Sequence, residues 1–212
     1  MDAQRKAVIL LTGFAPFGGH RRNSSWEAAR IAGKRLGAKI IVARLPVHHA
    51  RAAQALAVLL EQHHPDACLL TGLARGPRLR VERVARRHRA LAGPDFPGRL
   101  HGAWPVTETG LALRLAKLAF RVSDNAGSYV CNSTYWWLLN FSMRKGWPRH
   151  TAFLHVPPLS TRFTAASLAR GMEAILRRRI ALMPGASGTD RSPPPGSDRS
   201  RSRSSESSAR SG

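Results

Sequence analysis

The chain has 212 residues, with 34 Lys plus Arg against 12 Asp plus Glu and a formal net charge of +22. That length suits one domain that can bury most of its unfolded surface, and its two cysteines, Cys68 and Cys131, have no metal-ligand spacing, which excludes a disulfide scaffold or a zinc module. No apolar run approaches the roughly 18 residues of a membrane span, and Asp2, Arg5 and Lys6 do not suit a signal peptide, so a soluble, cytoplasmic protein is expected.

The apolar run from Ala7 to Leu11, stopped by Gly13, predicts a buried first strand. In the loop that follows, Phe14 and Phe17 flank Pro16 and precede a Gly-Gly pair; two rings beside a flexible backbone can sandwich a small flat ligand, or simply fill the core under a turn. The Lys and Ser/Thr of a phosphate-binding loop are missing. Asn23 or Ser24 should cap a helix over 26–36, with Glu27 in its first turn near the positive end of the dipole. A strand over 39–45 is turned by Pro46, and a helix is predicted over 50–62. The pairs His48–His49 and His63–His64 flank that helix, but adjacent side chains diverge and no third ligand stands at a recognisable spacing, so no metal is expected there. A short strand over 67–71 ends at Gly72 and carries Cys68 as core packing.

Next comes an arginine-rich, hairpin-like stretch over 75–87, in which Glu82 is the only acid between Asp66 and Asp95. A lone carboxylate among six arginines is either a salt-bridge partner on a solvated face or an orienting group for a histidine. Residues 89–109 hold three prolines and three glycines and read as surface loop or short strands. A helix is predicted over 111–119. Tyr129 and Val130 form a short β-prone run that ends at Cys131, ahead of a helix over 133–144. A thiol at such a junction is either a small buried hydrophobe or a nucleophile whose thiolate the helix N-terminus favours. The apolar run from Thr151 is stopped by Pro157 and Pro158, which places His155 near a strand end, where it can meet a distant cysteine as its base. A last amphipathic helix is expected over 164–180.

From Pro184 the composition turns to Ser, Arg, Pro and Gly, too poor in apolar groups to fold, so residues 1–183 are read as the domain and 184–212 as a disordered tail. That tail holds five arginines and three acids, which leaves an excess of 20 positive charges in the remainder. Such a field attracts polyanions in a salt-sensitive way. Basic residues are nevertheless spread through every predicted helix and loop, without a nucleic-acid-binding motif.

Six blocks in order, TGFAPFGG (12–19), NSSWEAA (23–29), LPV (45–47), VERVA (81–85), SDNAGSYVCN (123–132) and FLHVPPL (153–159), resemble the cysteine peptidase family of pyroglutamyl peptidase I, also called pyrrolidone carboxyl peptidase, over about residues 7 to 180. The resemblance implies a catalytic set of Cys131, His155 and Glu82, with Phe14 and Phe17 lining the pocket for the lactam ring of pyroglutamate. It implies hydrolysis of the amide after an N-terminal pyroglutamyl residue, without a cofactor or metal. The alternation of elements predicts an α/β fold, a three-layer sandwich around a mixed, mostly parallel sheet. The expected partners are pyroglutamyl-blocked peptides, with a homo-oligomer and nonspecific polyanion contact left open. An inactive or weakly active relative whose basic surface binds nucleic acid or another polyanion is the alternative reading. Two departures from the family pattern stand out: Arg86 and Arg87 follow Ala85 where the family has an asparagine, and only 12 residues, Leu111 to Val122, precede the nucleophile block.

Overall fold

A computed structural model describes residues 7–89, 91 and 95–183; the expected tail lies outside the described residues. Among the described residues, eight strands and five α-helices follow one another in the order β1 Ile9–Phe14, α1 Ser24–Leu36, β2 Ile40–Leu45, α2 His49–His63, β3 Ala67–Leu73, β4 Leu79–Glu82, β5 Val84–Arg86, β6 Arg99–His101, α3 Val106–Leu115, β7 Phe120–Ser123, α4 Val130–Lys145, β8 His150–Val156 and α5 Ala165–Ala181. The main sheet has the strand order β2-β1-β3-β8-β4-β7. All neighbours are parallel except β4 and β8, so the sheet is mixed and mostly parallel, as expected.

Each face of the sheet carries its own apolar core. Leu79, Val81, Leu154 and Val156 pack with Ala28, Leu113, Leu168 and Met172 of α1, α3 and α5. On the opposite face, Leu10, Phe14, Leu70 and Phe153 pack with Leu56, Trp136 and Leu139 of α2 and α4. This is the three-layer sandwich. Central strands therefore read as continuous apolar runs, because both of their faces are covered. Phe153, fully buried between the sheet and α4, contributes about 2–3 kcal/mol through that burial alone.

Local chemistry sets the helix starts. Asn23 caps α1, its Oδ1 accepting from Ser25 N at 3.1 Å, and Thr164 caps α5, its Oγ1 accepting from Ser167 N at 3.1 Å. The predicted helix over 111–119 is displaced: α3 begins at Val106 and ends at Leu115. Trp104 Nε1 donates to Glu108 Oε1 at 3.0 Å and steadies that first turn, and Gly110 leaves room inside the helix for the Phe120 ring, whose Cζ would lie 2.9 Å from a Cβ there.

Two further expectations are corrected. The stretch over 75–87 is no hairpin: β4 enters the main sheet between β7 and β8, and β5 leaves it to pair antiparallel with β6, a short strand in the region read as loop or short strands. Tyr129 and Val130 are not a strand end. Tyr129 is the N-cap residue of α4 and Cys131 is already the second helical residue, the preceding strand having closed at Ser123. Both glycines read as strand stops are spaces instead. β1 runs through Gly13, where a Cβ would come within 2.6 Å of the Trp26 backbone, and β3 runs through Gly72, where a Cβ would come within 2.7 Å of Cys131 Sγ.

Candidate active site

The open end of the sheet holds a cavity of about 180 Å³ lined by Phe14, Phe17, Asn23, Arg80, Tyr129, Cys131 and His155, among others. It lies at the carboxyl ends of β1, β3 and β8, where open α/β sheets bind ligands. Five elements supply its walls. Phe14 ends β1 and is buried, whereas Phe17, in the following loop, is 37% exposed. That loop is held by a buried network: Phe14 N donates to Ser25 Oγ at 3.0 Å, Ser25 Oγ donates to Asn23 Oδ1 at 2.9 Å, and Asn23 Nδ2 donates to Ala15 O at 3.0 Å. One asparagine thereby caps a helix and fixes the spacing of two rings.

Cys131 sits in the first turn of α4 with its sulfur against Gly72, and Gly72 lies directly opposite His155 in the β3–β8 pairing. The sulfur of Cys131 thus lies over the strand position next to that of the imidazole. His155 is buried, and its Nδ1–H donates to Glu82 Oε1 at 2.7 Å. That leaves Nε2 as the acceptor on the pocket side. Glu82, at 1% exposure, closes β4, and its Oε1 also accepts from Arg80 Nε at 3.2 Å. Oε2 is buried without a hydrogen-bond partner among the described residues. The carboxylate is therefore committed to the site, not to a solvated face. Tyr135 of α4 donates to the Glu82 carbonyl at 3.2 Å, and Asn132, also of α4, exchanges two 2.8 Å hydrogen bonds with the Arg86 backbone, tying the nucleophile helix to the carboxylate segment.

Burial dominates the electrostatics. It pushes the Cys131 thiol up to about 12, helped by the negative charge of Glu82, while the residue's own backbone N–H and Arg80 oppose the rise. One side of Cys131 remains open to the pocket, so water there moderates the effect. His155 is lowered below its ordinary value, again first by burial and further by Arg80, against the hydrogen bond and charge of Glu82. The resting pair is thiol and neutral imidazole.

A pH dependence follows. The base works only when neutral, so activity should rise as pH climbs through a value below the ordinary 6.5 of histidine and then stay level across neutrality. Iodoacetamide inactivation should keep accelerating with pH up to at least about pH 9, since thiolate remains scarce. An alkylation rate already level by pH 7 would show a preformed ion pair instead.

Gly72 offers a second test. A Cβ at this position would meet Cys131 Sγ at 2.7 Å and the Phe153 ring at 2.9 Å, both held by packed elements. Gly72→Ala should lower stability by about 1–3 kcal/mol and cut turnover roughly 100-fold, because it moves the sulfur by something like 1 Å. Urea unfolding and steady-state kinetics on the same preparation separate the two effects.

Three of the four paired histidines make structural contacts. His48 caps α2, His49 Nδ1 is 2.7 Å from Ser133 Oγ, and His64 packs its ring on Trp147. Among the described residues no group of three His, Cys, Asp or Glu side chains could hold a metal ion, and no helix is long and apolar enough to cross a membrane. Cys68 is fully buried, and burial holds its thiol well above the usual range. Arg87, at the departing asparagine position, donates to Phe96 O at 2.7 Å and ties down the start of the following loop. The sequence reading missed Arg80 as part of this site. Its signal was present: a residue two before Glu82 on one strand shares its face.

The pyroglutamyl peptidase family profile matches residues 7–174. The chain is 36% identical over 165 residues to a pyrrolidone-carboxylate peptidase of Thermococcus kodakarensis, covering 70% of this chain and 80% of that protein. It is 32% identical over 193 residues to one from Streptomyces coelicolor, covering 79% and 89%. In fold it is similar to pyroglutamyl peptidase I of Bacillus amyloliquefaciens, with a TM-score of 0.76 at 21% identity over 83% of this chain and 96% of that one. The pyrrolidone carboxyl peptidase of Thermococcus litoralis gives 0.72 at 24% identity, over 81% and 92%.

Proposed function

The chain belongs to the pyroglutamyl peptidase family, and from that membership and the pocket we propose that it is a cysteine exopeptidase that removes N-terminal L-pyroglutamyl residues from peptides. One observation carries the reading: a thiol and a carboxylate-bound imidazole line the same cavity as two phenylalanine rings. The neutral lactam ring seats between Phe14 and Phe17, with the exocyclic pyroglutamyl carbonyl presented to Cys131. A free, charged N-terminus would lose its water there without gaining a partner, which restricts the site to blocked ends.

Chemistry proceeds from the neutral pair. His155 Nε2 takes the Sγ proton as sulfur bonds to the pyroglutamyl carbonyl carbon, and the oxygen takes up the negative charge. Backbone N–H groups in the first turn of α4 face that oxyanion, and each such donor can supply about 3 kcal/mol. The imidazolium, held by Glu82, then protonates the leaving nitrogen as the C–N bond breaks. Water attacks the thioester, giving its proton to His155, and free pyroglutamate leaves while the thiol is restored. Glu82 fixes the tautomer and stabilises the imidazolium at both stages.

A pyroglutamyl-linked aminocoumarin amide tests this directly with the full-length protein. Fluorescence release that stops on thiol alkylation supports it. Absence of turnover at enzyme concentrations in the micromolar range, with the fold intact by circular dichroism, would overturn it.

A further inference from the structure

We propose that an arginine-lined groove beside the nucleophile binds the leaving peptide through its carboxylates, so that favoured substrates carry acidic side chains or a free C-terminus within the first three positions after the pyroglutamyl group; this rests on the peptidase reading above. A single transverse row of residues fixes the direction. Gly72, under the Cys131 sulfur, lies opposite His155; His155 lies opposite Arg80; Arg80 lies opposite Arg121. Directly paired residues share a face of the sheet. Phe14 stands on the other side of this row, on β1, beyond β3. A ring seated at Phe14 and a leaving nitrogen that must reach His155 therefore send the departing chain across β8 towards β4 and β7.

That path enters a second cavity, of about 330 Å³, lined by Arg75, Gly76, Pro77, Arg78, Arg80 and Arg121. Arg80 borders both cavities. Strands lie about 4.8 Å apart, so Arg121 is roughly 10 Å from His155. An extended peptide advances about 3.4 Å per residue, which brings the second or third leaving residue to Arg121.

Three of the four guanidinium charges in the groove are unmatched. Arg80 is bound to buried Glu82, and the neighbouring Asp124 is held by Arg83, whose Nε lies 2.6 Å from its Oδ1. Among the described residues, Arg75, Arg78 and Arg121 have no carboxylate partner. Arg80 and Arg121 are moreover placed directly across from each other, an arrangement of like charges that is unfavourable unless an anion bridges it.

The test compares pyroglutamyl-Glu-Asp-amide with pyroglutamyl-Gln-Asn-amide, at low and physiological salt, on the full chain and on the Arg75→Gln, Arg78→Gln, Arg121→Gln triple variant. A kcat/KM advantage of about tenfold for the acidic peptide at low salt is expected, shrinking with salt and vanishing in the variant, whose turnover of the neutral aminocoumarin amide is unchanged. Pyroglutamyl-Gln with a free C-terminus, against its amide, separates the main-chain carboxylate from side-chain ones. Binding of the same labelled peptides to Cys131→Ser protein gives a readout that needs no turnover. Preferential binding of the acidic peptide there supports the groove even if hydrolysis fails. Equal binding and equal hydrolysis of the two peptides overturn it even if the peptidase reading stands. An acidic preference that survives the triple variant also overturns it, as does tighter binding of a short single-stranded RNA lost with the same three substitutions.

Discussion

Replacing Cys131 with alanine is expected to lower hydrolysis of a pyroglutamyl-linked aminocoumarin amide by about 10⁴-fold or more, to the background of the uncatalysed reaction. The sulfur has no disulfide partner, sits at the wall of the cavity against Gly72, and packs at the edge of the core as a partly buried residue. Stability should therefore change by no more than about 1 kcal/mol. Cys68→Ala provides the contrast. That thiol is fully buried in β3 among Leu10, Leu70 and Phe153, so its loss leaves a small void worth about 1–2 kcal/mol and leaves the reaction rate untouched. Opposite outcomes for the two cysteines, in rate and in urea midpoint, would separate a reacting sulfur from a packing one. A Cys131→Ala protein that still turns over at more than a hundredth of the parent rate would remove the nucleophile from the mechanism.

The contrast between these cysteines was legible before any coordinates, because their sequence surroundings differ: one lies inside an apolar strand run, the other just ahead of a helix. Much of the architecture was legible for the same reason. The apolar runs at Ile9, Ala67 and Thr151 and the amphipathic spacing of α1, α2 and α5 each dictate one type of element, and their alternation dictates a layered sheet. The errors share a cause. Gly13 and Gly72 look like stops because glycine favours turns, yet here each lets another backbone or side chain come within contact of a strand, a requirement set by packing and invisible along the chain. The shifted α3 has the same origin in Gly110 and the Phe120 ring.

Within the site, Cys131, His155 and Glu82 could be named as candidates from the sequence, but their electrostatics could not. A helix N-terminus argues for thiolate; burial, which only the fold reveals, pushes the thiol the other way and is the first cause of its raised pKa. Arg80 was passed over as one arginine among six, since only strand register reveals that it stands between His155 and Arg121 and shares Oε1 of Glu82.

That shared oxygen makes Glu82→Gln the most informative remaining substitution. In the parent, Oε1 accepts from both His155 Nδ1 and Arg80 Nε, so the negative charge supports an imidazolium that would otherwise form beside a guanidinium in a buried place. Glutamine is isosteric and can still accept through its oxygen, but it supplies no charge. The imidazolium formed on proton transfer then loses its counter-ion, and kcat should fall about 10³- to 10⁴-fold with little change in KM. The sign of the accompanying pH shift follows from the same groups. Glu82 raises the pKa of His155 against burial and Arg80, so its neutralisation should move the acid limb to still lower pH even as the rate falls. A carboxylate that only braced the fold would leave that limb where it was. Tyr135→Phe is the companion variant: it removes the 3.2 Å hydrogen bond to the Glu82 carbonyl without touching the charge, and should cost about 1 kcal/mol of stability while keeping turnover within roughly tenfold of the parent. If Tyr135→Phe and Glu82→Gln slowed the reaction equally and neither moved the acid limb, the role assigned to the carboxylate would pass to the packing around it.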